Sequence, residues 1–205
     1  MKHDYLKYYH SKTLIFLIGV LLFVVVAAKE YWTLSISVFG LTSILLILIT
    51  NHLWKFKPFI WLFWVDDFSG RYEGFLHYQY QDDSGEIKSG KLKHVKLINQ
   101  NGSRITISSF TIKPDGSKSS LSVNKGMFVE KTEDEQHYRL IYNYLNEGSV
   151  EQGFPPHYGT EIIKFIKQGN DKVLSGGYFT GREPYQTKGE FSELKWVSNN
   201  LNHEF

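Results

Sequence analysis

Two apolar runs open the chain, and almost nothing separates them. Thr13 to Ala28 reads TLIFLIGVLLFVVVAA and Thr33 to Thr50 reads TLSISVFGLTSILLILIT, neither with a charge, and only Lys29, Glu30, Tyr31 and Trp32 lie between. A helix needs roughly 20 residues to span a bilayer, with about 17 as the lower limit. Tyr8 and Tyr9 precede the first run and His52 to Trp54 follow the second, so both reach that length with aromatic ends at headgroup depth. The pattern predicts a transmembrane helical hairpin, with helices at about 9–28 and 33–53 after a short segment 1–12.

The next stretch, 54–68, mixes Trp54, Phe56, Phe59, Trp61, Phe63 and Trp64 with Lys55, Lys57 and Pro58. Rings and snorkelling lysines suit a membrane interface, and the proline stops the second helix. The same rings could instead plug the base of the domain that follows. From Gly70 onward the period becomes two, punctuated by turn formers such as Asp82-Asp83-Ser84-Gly85, Asn101-Gly102, Pro114-Asp115-Gly116 and Gly169-Asn170-Asp171. Eight strands are predicted, at 71–81, 86–99, 103–113, 117–130, 136–145, 158–168, 172–182 and 187–197. The expected fold is therefore membrane-anchored all-β: the two-helix hairpin, then a small eight-stranded antiparallel up-and-down β-barrel over 69–205. Asn146 to His157 is the one long connection and is placed to close a barrel mouth.

Charge sharpens the orientation. The 205 residues carry a net +2, yet the basic excess is gathered at the front, where Lys2, Lys7, Lys12, Lys55 and Lys57 flank the helices and Lys29 is offset by Glu30. By the positive-inside rule both termini and the barrel are expected to be cytoplasmic and the chain multi-pass. A cleaved signal peptide ending near Val26-Ala27-Ala28 is the alternative, but it leaves a second apolar run directly behind the cut. The barrel has no overall basic field for a DNA or RNA polymer. With no cysteine there is no disulfide frame or thiolate metal site.

Catalytic signatures are missing: no Walker loop, no G-x-S-x-G, and His3, His10, His52, His77, His94, His137, His157 and His203 are scattered singly. A lone strand histidine is more often surface or hydrogen-bonded than a ligand. No enzyme, no metal and no cofactor is expected. The suggestive stretch is LSGGYFTGR, where alternation puts Leu174, Gly176, Tyr178, Thr180 and Arg182 on one face. Tyr138, Leu140, Tyr142 and Tyr144 share a face of HYRLIYNYLN, and Tyr158, Thr160, Ile162 and Lys164 share one of HYGTEIIKF. Such hydroxyls inside a barrel need partners. A ligand with flat bases and phosphates supplies them, the rings stacking and Arg182 binding phosphate. An apolar ligand in a lipocalin-like barrel is the alternative, and it would not need that chemistry. A membrane enzyme working on a phosphoester with Tyr, His and Arg is a third.

With G-R-Y-E-G, Y-N-Y-L-N, H-Y-G-T, G-Y-F-T-G-R and T-K-G in order behind two apolar helices, the chain resembles the CD-NTase-associated protein 15 family. That family comprises the two-helix, β-rich effectors of bacterial cyclic-oligonucleotide antiphage systems (CBASS). The resemblance implies that the barrel binds a cyclic dinucleotide made by a partner nucleotidyltransferase, and that the protein then forms a homo-oligomer and disrupts the lipid bilayer in an abortive infection. It places the cyclic-nucleotide site at Tyr142, Tyr144, Tyr158, Thr160, Tyr178, Thr180, Arg182 and Thr187. The hairpin's small residues, Gly19, Ala27 and Ala28 in the first helix and Ser35, Ser37, Gly40 and Ser43 in the second, suit close helix packing in lipid.

Overall fold

The computed structural model describes residues 5–32, 37–148, 155–182 and 186–203. It divides into two units: Met1–Asp67 with the turn Gln100–Arg104, and Phe68–Asn99 with Ile105–Phe205.

In the first unit the uncharged run folds as α1, Ser11–Trp32, whose 22 residues extend about 33 Å at 1.5 Å per residue. Its Ser11–Tyr31 portion is long and apolar enough to cross a membrane. Ile15, Phe16, Phe23 and Val24 stand exposed along it. The second run behaves differently from expectation. Helix α2 covers Val38–Leu48 and continues as a π-helical turn, Ile49–Leu53, giving a shorter apolar helix than the span anticipated over 33–53. Residues 33–36 of that expected span lie outside the described residues. Hydroxyls within these helices are satisfied locally: Thr42 donates to the Val38 carbonyl (2.9 Å) and Thr50 to that of Leu46 (2.6 Å).

The aromatic segment is divided between buried and exposed side chains. Trp54, Leu62, Phe63 and Val65 are buried, while Phe56, Ile60 and Trp61 are exposed. Phe63 packs on Tyr9 with ring centroids 4.4 Å apart, and Trp64 Nε1 donates to the Lys7 carbonyl at 3.1 Å. The turn Gln100–Arg104 belongs here. Gly102 donates its N–H to the Thr50 carbonyl (2.8 Å), and a Cβ at that glycine would meet the Phe63 ring at 2.5 Å.

The second unit is all β: β1 Gly70–Gln81, β2 Ile87–Gln100, β3 Ile105–Ile112, β4 Lys118–Asn124, β5 Phe128–Lys131, β6 Tyr138–Asn146, β7 His157–Gln168, β8 Asp171–Thr180 and β9 Thr187–Ser198. The hydrogen-bonded order is β4-β3-β2-β1-β9-β8-β7-β6-β5, and a β4–β6 pairing closes it. The result is a closed antiparallel barrel with eight strands around its circumference, each beside its sequence neighbour. The strand expected over 117–130 is divided. Its first part, β4, joins β6 through Ser122↔Asn146 and Asn124↔Tyr144, whereas β5 pairs with the rest of that edge, Phe128↔Ile141 to Lys131↔Tyr138. The strand must break at Lys125-Gly126 because β6 offers one edge and two segments share it. The Asn124 side chain marks the break by accepting from Ile107 N (2.8 Å), a position the ladder would otherwise fill.

Inward alternation builds two different halves. At one end Ile98, Ile107, Leu140, Ile163, Phe165, Leu174 and Leu194 are buried without solvent contact to speak of. Phe68 seals that end, its ring 4.8 Å from Phe165 and 5.2 Å from Tyr138, and its carbonyl accepts from the Tyr72 hydroxyl (2.7 Å). Outside β2 and β3, Val95, Leu97 and Phe110 form a smaller core against which Leu201 packs.

Candidate functional site

The other half of the barrel is hollow. A cavity of about 410 Å³ opens there, lined by side chains from eight strands and the segment after β8. That volume lies in the range of small-molecule sites, roughly 300–1,000 Å³. Its walls are mixed: Leu76, Leu92 and Phe191 are apolar, whereas Ser109, Thr111, Ser120, Ser122 and Asn146 bring hydroxyls and an amide.

Four tyrosines, Tyr78, Tyr80, Tyr144 and Tyr178, line the cavity, and glycines make room for three of them. Tyr78 pairs with Gly90 on one side and Gly189 on the other; Tyr178 also pairs with Gly189, and Tyr144 with Gly159. A Cβ at Gly90 would lie 2.4 Å from the Tyr78 hydroxyl, and one at Gly159 would lie 2.3 Å from the Tyr144 ring. The rings thus lie flat over neighbouring backbone instead of projecting across the barrel. The space they vacate is the cavity. Burial pushes the Tyr144 and Tyr178 hydroxyls well up in pKa, with the Glu161 carboxylate adding to the effect, so both remain neutral donors.

Beneath the cavity lies a charged cluster. Lys96 is fully buried; its Nζ donates to Glu161 Oε2 at 2.5 Å and to Ser109 Oγ at 3.0 Å, and sits 4.3 Å from the Phe191 ring centroid. The Tyr142 hydroxyl donates to the same Glu161 oxygen. Desolvation lowers the Lys96 pKa while Glu161 pulls it back up, and desolvation holds Tyr142 as a phenol. Beside Lys96 stands His94, also buried and lining the cavity, its ring 4.8 Å from that of Phe191. Burial, and then the Lys96 charge, depress its pKa well below the usual imidazole value, so it is neutral. Neither of its ring nitrogens has a hydrogen-bond partner among the described residues.

Of the residues expected at the site, Tyr144, Tyr178, Thr180, Arg182 and Thr187 line this cavity together. Thr180 Oγ1 accepts from Thr187 N at 2.9 Å, pinning β9 to the end of β8. Tyr142 lies one layer deeper, against Glu161. Tyr158 and Thr160 do not join them. Tyr158 is 64% exposed, and Thr160 bonds Asn143 on the outer surface at 2.9 Å. On β7 the inward face is Gly159, Glu161, Ile163 and Phe165, the opposite of the one expected. A closed barrel needs a small residue under Tyr144 and a partner for Lys96, and only that register provides both. His94, Lys96, Glu161, Tyr78 and Asn146 were not anticipated. The available signal was Gly159-x-Glu161-x-Ile163-x-Phe165, a face running from small to charged to apolar. The loop expected to close the mouth lies largely in 149–154, outside the described residues.

The family model described as Cap15, cyclic dinucleotide receptor domain, matches residues 63–195. No curated protein and no solved structure matches the chain.

Two substitutions test this geometry. Glu161→Leu should destabilise the fold by about 3–5 kcal/mol by stranding the Lys96 ammonium, while Lys96→Met with Glu161→Leu should recover most of the loss in urea unfolding; additive losses would contradict the pair. In a crystal structure of Gly159→Ala the Tyr144 ring should be displaced into the cavity, and an unmoved ring would contradict the role given to the glycine.

Proposed function

Because the chain belongs to the Cap15 cyclic dinucleotide receptor family, we propose that the polar half-barrel cavity is its cyclic dinucleotide site and that the protein is a CBASS effector, a receptor and not an enzyme. The observation that carries this reading is the lining. Three tyrosine rings lying flat over neighbouring backbone surround a space with Arg182 among its walls. Rings stack on bases regardless of identity, and a guanidinium matches phosphate oxygens in a planar fork. The lipocalin-like alternative fits less well, since an apolar ligand would set itself against walls that carry Ser109, Thr111, Asn146 and Glu161 and would leave the His94 ring nitrogens without a partner.

The N-terminal unit supplies the response. In this reading the two apolar helices insert as a hairpin in the inner membrane, with both termini and the barrel on the cytoplasmic side, as the flanking lysines direct. A cognate nucleotidyltransferase makes the ligand, and binding favours a homo-oligomer whose helices disrupt the bilayer and abort infection. The scheme has a thermodynamic demand: the ligand must bind the assembled state more tightly than the unassembled one, because equal affinity shifts no population.

Calorimetry on the full chain in detergent tests the ligand. At least one cyclic dinucleotide should bind, and Arg182→Ala should weaken it tenfold or more with the melting temperature unchanged; unaltered affinity would remove Arg182 from the site. A second prediction concerns the helices. Leu22→Arg, a charge in the middle of α1 costing roughly 2.5–3.5 kcal/mol on insertion, should abolish growth arrest on co-expression with a cyclic dinucleotide synthase and leave binding intact. Continued killing by that variant would separate the helices from the response.

A further inference from the structure

The histidine with no partner is the feature that the receptor reading alone does not explain. His94 is 4% exposed, and a buried polar group left unpaired costs about 1–3 kcal/mol. Among the described residues, the other buried side-chain nitrogens without a partner belong to the half-buried His137 and Trp196, which do not line the cavity; His94 does. Its surroundings fix what it can bind. Phe191 covers one side of the ring, and the Lys96 ammonium nearby forbids a second positive charge. What remains is a neutral imidazole with one N–H donor and one acceptor nitrogen, held in the buried part of the cavity among Leu76, Leu92, Phe191 and Glu161.

A neutral imidazole does not compensate phosphate charge, and its surroundings are too dry for an unpaired anion. The hydrogen-bonding edge of an uncharged planar ring fits both conditions. Arg182, by contrast, is only partly buried and follows the end of β8, where the cavity meets solvent. We infer that His94 reads the edge of one nucleobase, which enters the cavity base-first and leaves its phosphates toward Arg182. His94 then selects among cyclic dinucleotides by the exocyclic groups of that base, while the tyrosine rings hold any base by stacking. This inference rests on the cavity being the cyclic dinucleotide site.

The test compares the full wild-type chain in detergent with His94→Leu and His94→Gln, titrating cyclic dinucleotides that differ in one base. Removing an orphaned polar group should leave the melting temperature of ligand-free His94→Leu equal to wild type or higher. The same variant should bind the preferred dinucleotide at least tenfold more weakly and lose most of the preference between bases. His94→Gln, which keeps a donor and an acceptor, should retain part of the affinity. If His94→Leu binds with unchanged affinity and preference while Arg182→Ala is impaired, the base-reading role is wrong and the receptor reading stands. A ligand-free His94→Leu that melts lower and weakens every dinucleotide equally assigns His94 to the fold and also overturns the role. Wild-type protein that binds no cyclic dinucleotide overturns the receptor reading and this inference with it.

Discussion

Lys96 and Glu161 meet across the full width of the barrel. β2 and β7 stand four strands apart whichever way the circumference is followed, and Nζ lies 2.5 Å from the carboxylate. Neither charge is tolerable alone in that interior, since each costs several kcal/mol to desolvate. Together, with Ser109 and Tyr142 satisfying further valences, they form a strut. Register follows from it, because a one-residue slip of either strand would turn its charge outward and bring an apolar side chain in. A buried ion pair is weak evidence for net stability but strong evidence for a unique arrangement of the strands that carry it.

The strut also divides the interior. On one side the barrel is filled with aliphatic and aromatic side chains up to Phe68, as small barrels usually are. On the other it is kept open by Gly90, Gly159 and Gly189, over which the tyrosines lie. Filling the whole barrel with apolar side chains would have given a more stable domain. The hollow polar half, with an unpaired histidine in its wall, trades stability for recognition, which is how a receptor differs from a scaffold. The apolar helix α1 adds a segment of membrane-spanning length ahead of the domain.

Much of this could be read in the sequence, and the failures have physical causes. The barrel was legible because alternation and turn residues recur at short spacing from Gly70 on, and the inward faces of β6 and β8 followed from their tyrosines and glycines. β7 was misread because both of its faces mix polar and apolar residues. Tyr158-Thr160-Ile162 looks as fit for an interior as Gly159-Glu161-Ile163, and only the partner strands decide. Lys96 drew no attention in the sequence, because lysine is usually at the surface and a buried cation is recognisable only once its carboxylate is found across the barrel. The break between β4 and β5 depends on which segments share the edge of β6, a long-range matter that local pattern does not encode. The family resemblance named the ligand class and Tyr142, but not Lys96 or Glu161 beneath the cavity.

In the proposed function, the hollow half of the barrel, above the Lys96–Glu161 strut, receives a cyclic dinucleotide. A crystal structure of the protein with such a ligand bound tests this most directly. The ligand should lie inside, with one base among Tyr78, Tyr144 and Tyr178 and the phosphates toward Arg182. A ligand seated on the outer surface around Tyr158, Ile162 and Phe179, with the cavity empty, would contradict it.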